Sequence, residues 1–450
     1  MCAAKEIVIL DFDFMKTSID RSFDDVFLCV RSRLKDYLLK EYCRCPDTNN
    51  IDTSRFLDFF SLYLDSHTPT KSHTLYSSFD IRDAGFKIAP VDANIYPAGF
   101  NNICPIDIEN SSPIVESYFS SIGFKPKRLL IFPEAHTKNH FYIDNLLALK
   151  SLFEKINIET RIGWVGHDQV LTNTSGVQVT AQAIQRDSDH GTISLNDGFM
   201  PEFVVLNNDC SAGLPDILLN LTIPVEPSPL LGWHSRRKHS FFNIYNSLAE
   251  TLATECQIDP WHLQVDTAHV SDINFESQKS LDDMADAAAK ILARTQTKYK
   301  EHSVTAQPKV FVKSASGTYG MGILVINDPN DLRTLNRREK NKMSVGKNAL
   351  EVHDVIVQEG IPTRMGVDGA SAEPVVYMIG SRLFGGFLRL NASRDNLDNL
   401  NSKGMVFEKL CMSDLRFGAE RDVELELVYG AIAKLSQRAL TREIDIALRR

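Results

Sequence analysis

The spacing of apolar residues predicts helices at the start of the chain and strands soon afterwards. Apolar side chains recur every three or four positions over residues 16–42, which predicts a helix there, and a shorter helix is expected at 54–65. The segments LYSSFDI and FKIAPVDA then have the character of two strands, joined by a turn at residues 82–85. The pattern therefore changes from helix to sheet within the first hundred residues.

Strand-like and helix-like segments alternate from about residue 125, which is typical of an α/β domain. The run RLLIF precedes the helical pattern YIDNLLALKSLFEKI, and VQVTAQAI and TISL are expected to form an antiparallel pair before the strand EFVVLNND. Helical patterns then prevail over 240–302, strands return over 309–391, and a last helix is expected at 421–447. The predicted segments are 1–73 (helical), 74–124 (strands), 125–232 (α/β domain), 233–305 (helical), 306–420 (strands with a glycine-rich loop) and 421–450 (C-terminal helix). The fold class is α/β, with α+β character.

Composition and charge exclude several classes of protein. The net charge of −9 argues against a general nucleic-acid-binding surface, and no apolar run approaches the roughly 20 residues that span a bilayer. The stretch MCAAKEIVILDFDF has acidic residues inside its apolar part, unlike a secretory signal. The eight cysteines are scattered, which predicts reduced thiols and a cytoplasmic location. A homo-oligomer is compatible with the sequence.

A glycine-rich loop lies between two predicted strands in KVFVKSASGTYGMGILVIND, residues 309–328. A hairpin tip of this kind lets backbone N–H groups surround phosphates without side-chain clashes, which favours ATP over NAD. The alternative is an ordinary surface hairpin with a solvated lysine. The predicted nucleotide contacts are Lys313, Ser316, Gly317, Thr318, Tyr319, Gly320 and Gly322.

Two further strand segments extend the predicted nucleotide site. In VIVQEGIP (355–362), Gln358, Glu359 and Ile361 are expected to bind the adenine and the ribose, although a strand that ends in Glu-Gly is common. In EPVVYMIGSRLFGGFLRLN (373–391), two strands are expected to flank a bend at Gly385 and Gly386. Arg389 lies on the second strand, where it could stabilise charge on a transferred phosphoryl group. The alternative is a surface strand pair with a solvated arginine.

Several polar loops are candidates for binding an amino-acid substrate. The amides of Asn101 and Asn102 follow Pro97 and Gly99, and an Asx turn is the alternative. The segments PEAHTKNHFY, GWHSRRKHSFF and DNLDNLNSKG are polar loops, the second of them strongly basic. The candidates in these loops are His136, Asn139, Arg236, Arg237 and Asn401.

The motifs VKSASGTYGMGI, VIVQEGIPT, DANIYPAGFNNI and GWHSRRKHSFF resemble those of the proteobacterial ATP-grasp-type glutamate–cysteine ligases. The resemblance spans residues 80–407 and hardly includes the first 70. It implies that ATP phosphorylates the γ-carboxylate of glutamate and that cysteine attacks the acyl phosphate to give γ-glutamylcysteine, the first step of glutathione biosynthesis. It also implies ATP and Mg²⁺ as cofactors. The alternatives are another ATP-grasp carboxylate–amine ligase, such as a glutathione-synthetase-like enzyme, and a non-catalytic ATP-binding module.

The sequence departs from the usual ATP-grasp order, in which metal ligands lie on a strand downstream of the hinge strand, here VIVQEGIP (355–362). No such strand is evident after residue 407, but Asp92 and Asn94 end an upstream strand and Asp80 precedes them. Their oxygens suit a hard cation. These residues therefore predict a circularly permuted ATP-grasp fold, in which residues 74–105 complete the sheet that begins at 309, beside an α/β substrate domain. A plain turn is the alternative for Asp92 to Asn94, and Glu373 and Asn391 are the other candidate ligands.

Overall fold

The computed structural model describes residues 7–9, 60–61, 63–65, 74–135, 138–256, 258–317, 322–344, 351–411 and 425–449. The helix predicted at 16–42 lies outside these residues, whereas the described part of 54–65 is helical. Within the described residues, every helix is too short or too polar to cross a membrane.

The described elements are eighteen strands and eight α-helices. The strands are β1 (Ile7–Ile9), β2 (Tyr76–Asp83), β3 (Ile88–Asn94), β4 (Arg128–Pro133), β5 (Glu159–Trp164), β6 (Gln169–Thr172), β7 (Gln178–Asp187), β8 (Thr192–Leu195), β9 (Phe203–Asn207), β10 (Val225–Glu226), β11 (Thr267–Val270), β12 (Val310–Ser314), β13 (Ile323–Ile326), β14 (Val355–Glu359), β15 (Met365–Val367), β16 (Ala370–Ile379), β17 (Arg382–Asn391) and β18 (Val406–Leu410). The helices are α1 (Pro105–Glu109), α2 (Ser112–Ser121), α3 (His140–Glu154), α4 (Lys238–Cys256), α5 (Gln278–Glu301), α6 (Pro329–Arg333), α7 (Arg337–Ser344) and α8 (Leu425–Ala447).

The first sheet joins segments from both ends of the described chain. Its order is β1-β15-β16-β17-β18, and β2 pairs with β16 and carries β3 on its other side. Helices α4 and α8 cover one face with apolar side chains, in a core that includes Phe79, Val376 and Leu388. The strands of segment 74–105 therefore complete a sheet, but it is the sheet of β15–β18 and not the one that begins at 309.

The second sheet has the order β11-β14-β12-β13, and all its pairs are antiparallel. The amphipathic helix α5 packs on it through residues such as Met284, Ala288 and Ile291. Strands β12 and β13 form the predicted hairpin around the glycine-rich loop.

The third sheet lies in the predicted α/β region. Strands β10, β9, β4, β5 and β7 are parallel neighbours, and β6 and β8 add antiparallel pairs to β7. Helix α3 packs against it through Ile143, Leu146 and Leu149. The pairing of β7 with β8 confirms the predicted antiparallel pair.

Two local predictions are wrong, and a third places a turn two residues too early, since Arg82 and Asp83 belong to β2. Gly385 and Gly386 lie inside β17, and the turn falls at Gly380. A Cβ at Gly385 would lie 2.7 Å from the side chain of Ile103, so this glycine permits close packing of the loop before α1. The mostly helical region 240–302 also contains β11, and the strand region 309–391 also contains α6 and α7. Cys104 and Cys411 form a disulfide across a sequence separation of 307, against the expectation of reduced thiols.

Candidate active site

A pocket lies where the first and second sheets face each other. The first sheet contributes charged side chains and the second contributes Lys313 with mostly apolar neighbours. Lys238 and the loop around Asn401 close the rim. The lining residues are Asp80, Arg82, Val91, Asp92, Lys238, Phe311, Lys313, Ser314, Ser316, Gly317, Ile323, Gln358, Ile361, Glu373, Arg389, Asn399 and Asn401.

Lys313 joins the glycine-rich hairpin to the first sheet. Its Nζ donates a hydrogen bond to the carbonyl oxygen of Val91 at 2.8 Å. The pairing of β2 with β3 skips Val91, because Asp80 faces Asp92 and Ile81 faces Pro90, so this bulge leaves the carbonyl available. Burial lowers the pKa of Lys313 to about 8, and the nearby carboxylate of Asp92 offsets only part of that effect.

Arg389 lies between two carboxylates on the floor of the pocket. Its Nη1 is 2.6 Å from Asp80 and 2.7 Å from Glu373, and Glu373 also accepts a hydrogen bond from Arg82. Burial raises the pKa of Asp80, and the charge of Arg389 counteracts it. Burial alone would raise the pKa of Glu373 as well, but Arg82 and Arg389 bring it below its ordinary value. These paired charges make the floor of the pocket polar, buried and preorganised.

Asp92 and Lys238 form a second ion pair at the pocket. Lys238 Nζ lies 2.5 Å from Asp92 Oδ1 and 4.8 Å from the ring centroid of Trp233. The backbone N–H of Lys238 donates to the carbonyl oxygen of Ala315 at 2.7 Å, at the root of the glycine-rich loop. Burial would raise the pKa of Asp92, but Lys238 and Lys313 outweigh it and hold the pKa at about 2.

The oxygens of the predicted metal ligands suit a divalent cation. Within the described residues, Asp80 Oδ1 and Asn94 Oδ1 are buried without a hydrogen-bond partner. Asn94 stands two residues after Asp92 on β3, and Asp80 faces Asp92 across the ladder. A buried acceptor without a partner is unfavourable, and an oxygen-preferring cation would satisfy such an atom. Asp80 and Asp92 line the pocket, whereas Asn94 is absent from the lining. The donor set therefore fits Mg²⁺ or a similar hard ion.

The hinge strand presents a different residue from one of those expected. Gln358 and Ile361 line the pocket, but Glu359 lies on the opposite face of β14. Its carboxylate accepts hydrogen bonds from Lys87 Nζ at 2.7 and 2.8 Å and from the indole of Trp261 at 3.2 Å. The expected ribose contact by the Glu359 side chain is therefore contradicted by the geometry.

Several other candidates have structural partners instead of facing the pocket. Arg236 binds Glu443 on α8 at 2.9 Å, and Arg237 binds Asp354 at 3.2 Å. The substrate contacts expected of both arginines are thus not supported by their geometry. The side chain of Asn139 caps α3, which explains its position without a substrate contact.

The remaining candidates lie near the pocket or outside the described residues. Asn101 and Asn102 follow β3 on a half-buried turn beyond the pocket lining. The amide of Asn391 donates a hydrogen bond to the Ser402 hydroxyl at 3.1 Å, and Asn391 is absent from the pocket lining. Gly322 ends the hairpin loop with φ of +62°, and it too is absent from the lining. Outside the described residues are His136, Thr318, Tyr319 and Gly320.

Sequence reasoning missed several residues that the fold brings to the pocket. Arg82 had no signal beyond its charge, and Phe311 appeared only as part of a strand. Lys238 belongs to the basic cluster from which Arg236 and Arg237 were chosen. Lys238 is the first residue of α4, and its side chain pairs with Asp92 from that position.

Comparisons with known proteins define the class of this protein and then its family. A family model described as GshA, glutamate–cysteine ligase, matches residues 57–444. The match covers most of the chain, so the protein is an ATP-dependent ligase that joins a carboxylate to an amine. The chain belongs to the glutamate–cysteine ligase family, whose substrates are glutamate and cysteine and whose product enters glutathione biosynthesis.

One solved structure agrees with this family. A candidate γ-glutamylcysteine synthetase from Methylobacillus flagellatus is 31% identical, with a TM-score of 0.80 over 96% of this chain and 99% of that one. A D-alanyl-alanine synthetase A from Vibrio cholerae is 11% identical over 69% of this chain and 80% of its own, and its TM-score of 0.38 supports no argument about the fold. No curated protein gave a significant match. The family match favours the glutamate–cysteine ligase over the two alternatives that the sequence left open.

Proposed function

We propose that the pocket between the first two sheets is where this ligase binds Mg-ATP and activates glutamate. The observation that carries the proposal is the contact of Lys313 with Val91, which brings the glycine-rich hairpin to the strand of Asp92 across 222 residues of sequence. A phosphate-binding loop and an oxygen-rich cation site must adjoin if a metal is to bridge the phosphates of ATP. Support comes from the independent convergence of both groups on one pocket.

The nucleotide would lie along the second sheet. Phe311, Ile323 and Ile361 provide apolar contacts for the adenine, and Gln358 lies beside them. Ser316 and Gly317 at the described end of the glycine-rich loop would offer backbone N–H groups to the phosphates, and Lys313 would neutralise part of their charge. This arrangement retains the predicted loop contacts and assigns the base to the hinge through Gln358 and Ile361.

Asp80, Asp92 and Asn94 would hold Mg²⁺, which supplies charge neutralisation for phosphoryl transfer. An oxygen of the glutamate γ-carboxylate would attack the γ-phosphorus of ATP, and the bond to the ADP oxygen would break. The cysteine amine would then attack the acyl carbon, lose a proton and expel inorganic phosphate. Arg389, fixed by Asp80 and Glu373, would counter negative charge on the transferred group.

The arrangement of strands supports a circularly permuted ATP-grasp fold. Strands β2 and β3 precede the glycine-rich hairpin in sequence, yet they extend the sheet of β16 and β17, which follows it. The α/β region at 125–232 would serve as the substrate domain, with Asn101, Asn102 and Asn401 as candidate contacts to the amino acids. We also propose a cytoplasmic location on the ground of the biosynthetic role alone, since the disulfide of Cys104 and Cys411 removes the argument from reduced thiols.

Replacing Asp92 tests the metal assignment. Asp92→Asn should raise the Mg²⁺ concentration that gives half-maximal turnover, because a neutral amide binds a hard cation more weakly than a carboxylate does. Asp83→Asn is the matched control, since Asp83 is also a buried carboxylate on the first sheet and binds Arg364 at 3.0 Å outside the pocket. The control should lower stability and leave the Mg²⁺ requirement unchanged. An equal Mg²⁺ requirement in Asp92→Asn and wild type would exclude Asp92 as a ligand.

A further inference from the structure

Side chains of the α/β domain hold the loop that follows the candidate metal strand. Asn145, on α3, accepts hydrogen bonds through Oδ1 from the backbone N–H groups of Gly99 at 2.8 Å and Phe100 at 3.1 Å. Gly99 has φ of +101°, a conformation that favours glycine. Asn101 and Asn102 come next in the chain, so their positions depend on this contact.

The side chain of Asn207 fixes the orientation of the Asn145 amide. Asn145 Nδ2 donates to Asn207 Oδ1 at 3.1 Å, and Asn207 Nδ2 donates to the carbonyl oxygen of Pro97 at 2.9 Å. The hydroxyl of Tyr142 donates to the backbone oxygen of Asn207 at 2.8 Å. Asn145 and Asn207 are only 1% and 3% exposed, so water cannot replace these partners without cost. The order of donors and acceptors fixes both amide orientations.

The loop lies on the pocket side of the first sheet. The Tyr377 hydroxyl donates to the carbonyl oxygen of Ala98, and the ring of Phe100 lies edge-on to Tyr377 at 5.2 Å. In the ladder, Tyr377 faces Ser78, two residues along β2 from Asp80. The held loop therefore packs on the same face of the first sheet as Asp80.

We propose that Asn145 and Asn207 are positioning residues for the amino-acid substrates. The inference rests on the proposed function, in which Asn101 and Asn102 offer amides to the carboxylate or ammonium group of an amino acid. The two buried asparagines fix the backbone from Pro97 to Phe100, and with it the direction of those amides. The α/β domain thus acts on the substrate through a loop of another segment, without contacting ATP.

Substitutions at Asn145 distinguish a role in positioning the substrates from a role in protein stability alone. Asn145→Leu keeps the branched shape of the side chain but removes both its acceptor and its donor, so the KM for glutamate, cysteine or both should rise by about tenfold or more. The Kd for ADP should stay within about twofold of the wild-type value, because the proposed nucleotide contacts are on the second sheet and this loop packs on the first. Asn145→Asp keeps the acceptor, and its carboxyl can donate to Asn207 only when protonated. Its KM values should therefore approach wild type at low pH and rise as the pH increases.

Asn173→Ala is the matched control within the same domain. Asn173 Oδ1 also accepts from two backbone N–H groups, those of Ser175 at 3.1 Å and Val177 at 2.8 Å, in a turn away from the loop. It should lower the Tm and leave both KM values unchanged. The inference is overturned if Asn145→Leu and Asn145→Asp keep wild-type KM values at all pH values, or if the Kd for ADP rises as much as KM. A wild-type enzyme that shows no ATP cleavage with both amino acids would instead reject the proposed function.

Discussion

The charge on Lys313 makes nucleotide binding dependent on pH in a calculable way. Burial lowers the pKa of this lysine to about 8 in the free enzyme, whereas a solvated lysine titrates at about 10.4. Phosphate oxygens beside the ammonium group would favour the charged form and raise the pKa in the complex. Binding should therefore take up a proton when the pH is above 8.

The size of the effect follows from the protonated fraction of Lys313. Above pH 8 the fraction falls about tenfold per pH unit, so the Kd for ADP should rise by about the same factor. Over the interval up to the ordinary lysine pKa, the loss reaches roughly 3 kcal/mol. Below pH 7 the lysine is charged in both states, so the Kd should be independent of this group.

Titration with a fluorescent ADP analogue in EDTA, from pH 6.5 to 9.5, measures this dependence. The matched variant is Lys313→Arg, because arginine stays charged throughout this range. Its Kd should show a much smaller rise above pH 8 than wild type. A flat wild-type profile, or equal slopes for both proteins, would refute the assignment of Lys313 to the phosphates.

Two further predictions concern stability. Cys104→Ser removes the link to Cys411 and should lower the free energy of unfolding by about 6 kcal/mol in the chain-entropy model, measured by denaturant titration. An unchanged midpoint would show that the bond does not form. Burial raises the pKa of Glu226 to about 7 from 4.5, so the folded state retains a proton that the unfolded state releases, and stability should fall as pH rises from 4.5 through 7. Glu226→Gln should flatten that fall in Tm, and an identical pH profile would contradict the burial of this carboxyl group.

Features that are encoded within a short stretch of the chain could be predicted from the sequence. The glycine-rich hairpin combines β-branched runs with Gly317 and Gly322, both of which have positive φ. The strand pair that brings Asp80 opposite Asp92 is a local hairpin, so both strands were predictable, although the turn follows Asp83 and does not begin at Arg82. Both features depend on residues close in sequence.

The sequence does not indicate which face of a strand a side chain occupies when every residue of that strand is buried. All five residues of β14 are buried, so hydrophobicity does not indicate whether Gln358 or Glu359 faces the pocket. Similarly, the sequence SRRKHS contains adjacent cations that differ only in their direction around the start of α4. Lys238 turns to the pocket there, while Arg236 binds the last helix.

Contacts between segments that are far apart in the chain could also not be predicted from the sequence. Arg82 and Glu373 pair across 291 residues, and Lys87 and Glu359 pair across 272. These ion pairs depend on which strand becomes the neighbour of which, and on the register between them. Nothing in the local pattern around Arg82 distinguishes it from a solvated arginine.

Phosphate release from Mg-ATP tests the central claim most directly. It should be measured with glutamate alone, with cysteine alone and with both, and the product should be identified by mass. The account predicts that sustained release requires both amino acids and yields γ-glutamylcysteine. Release with a different acid and amine, or no release with any pair despite ATP binding, would contradict it.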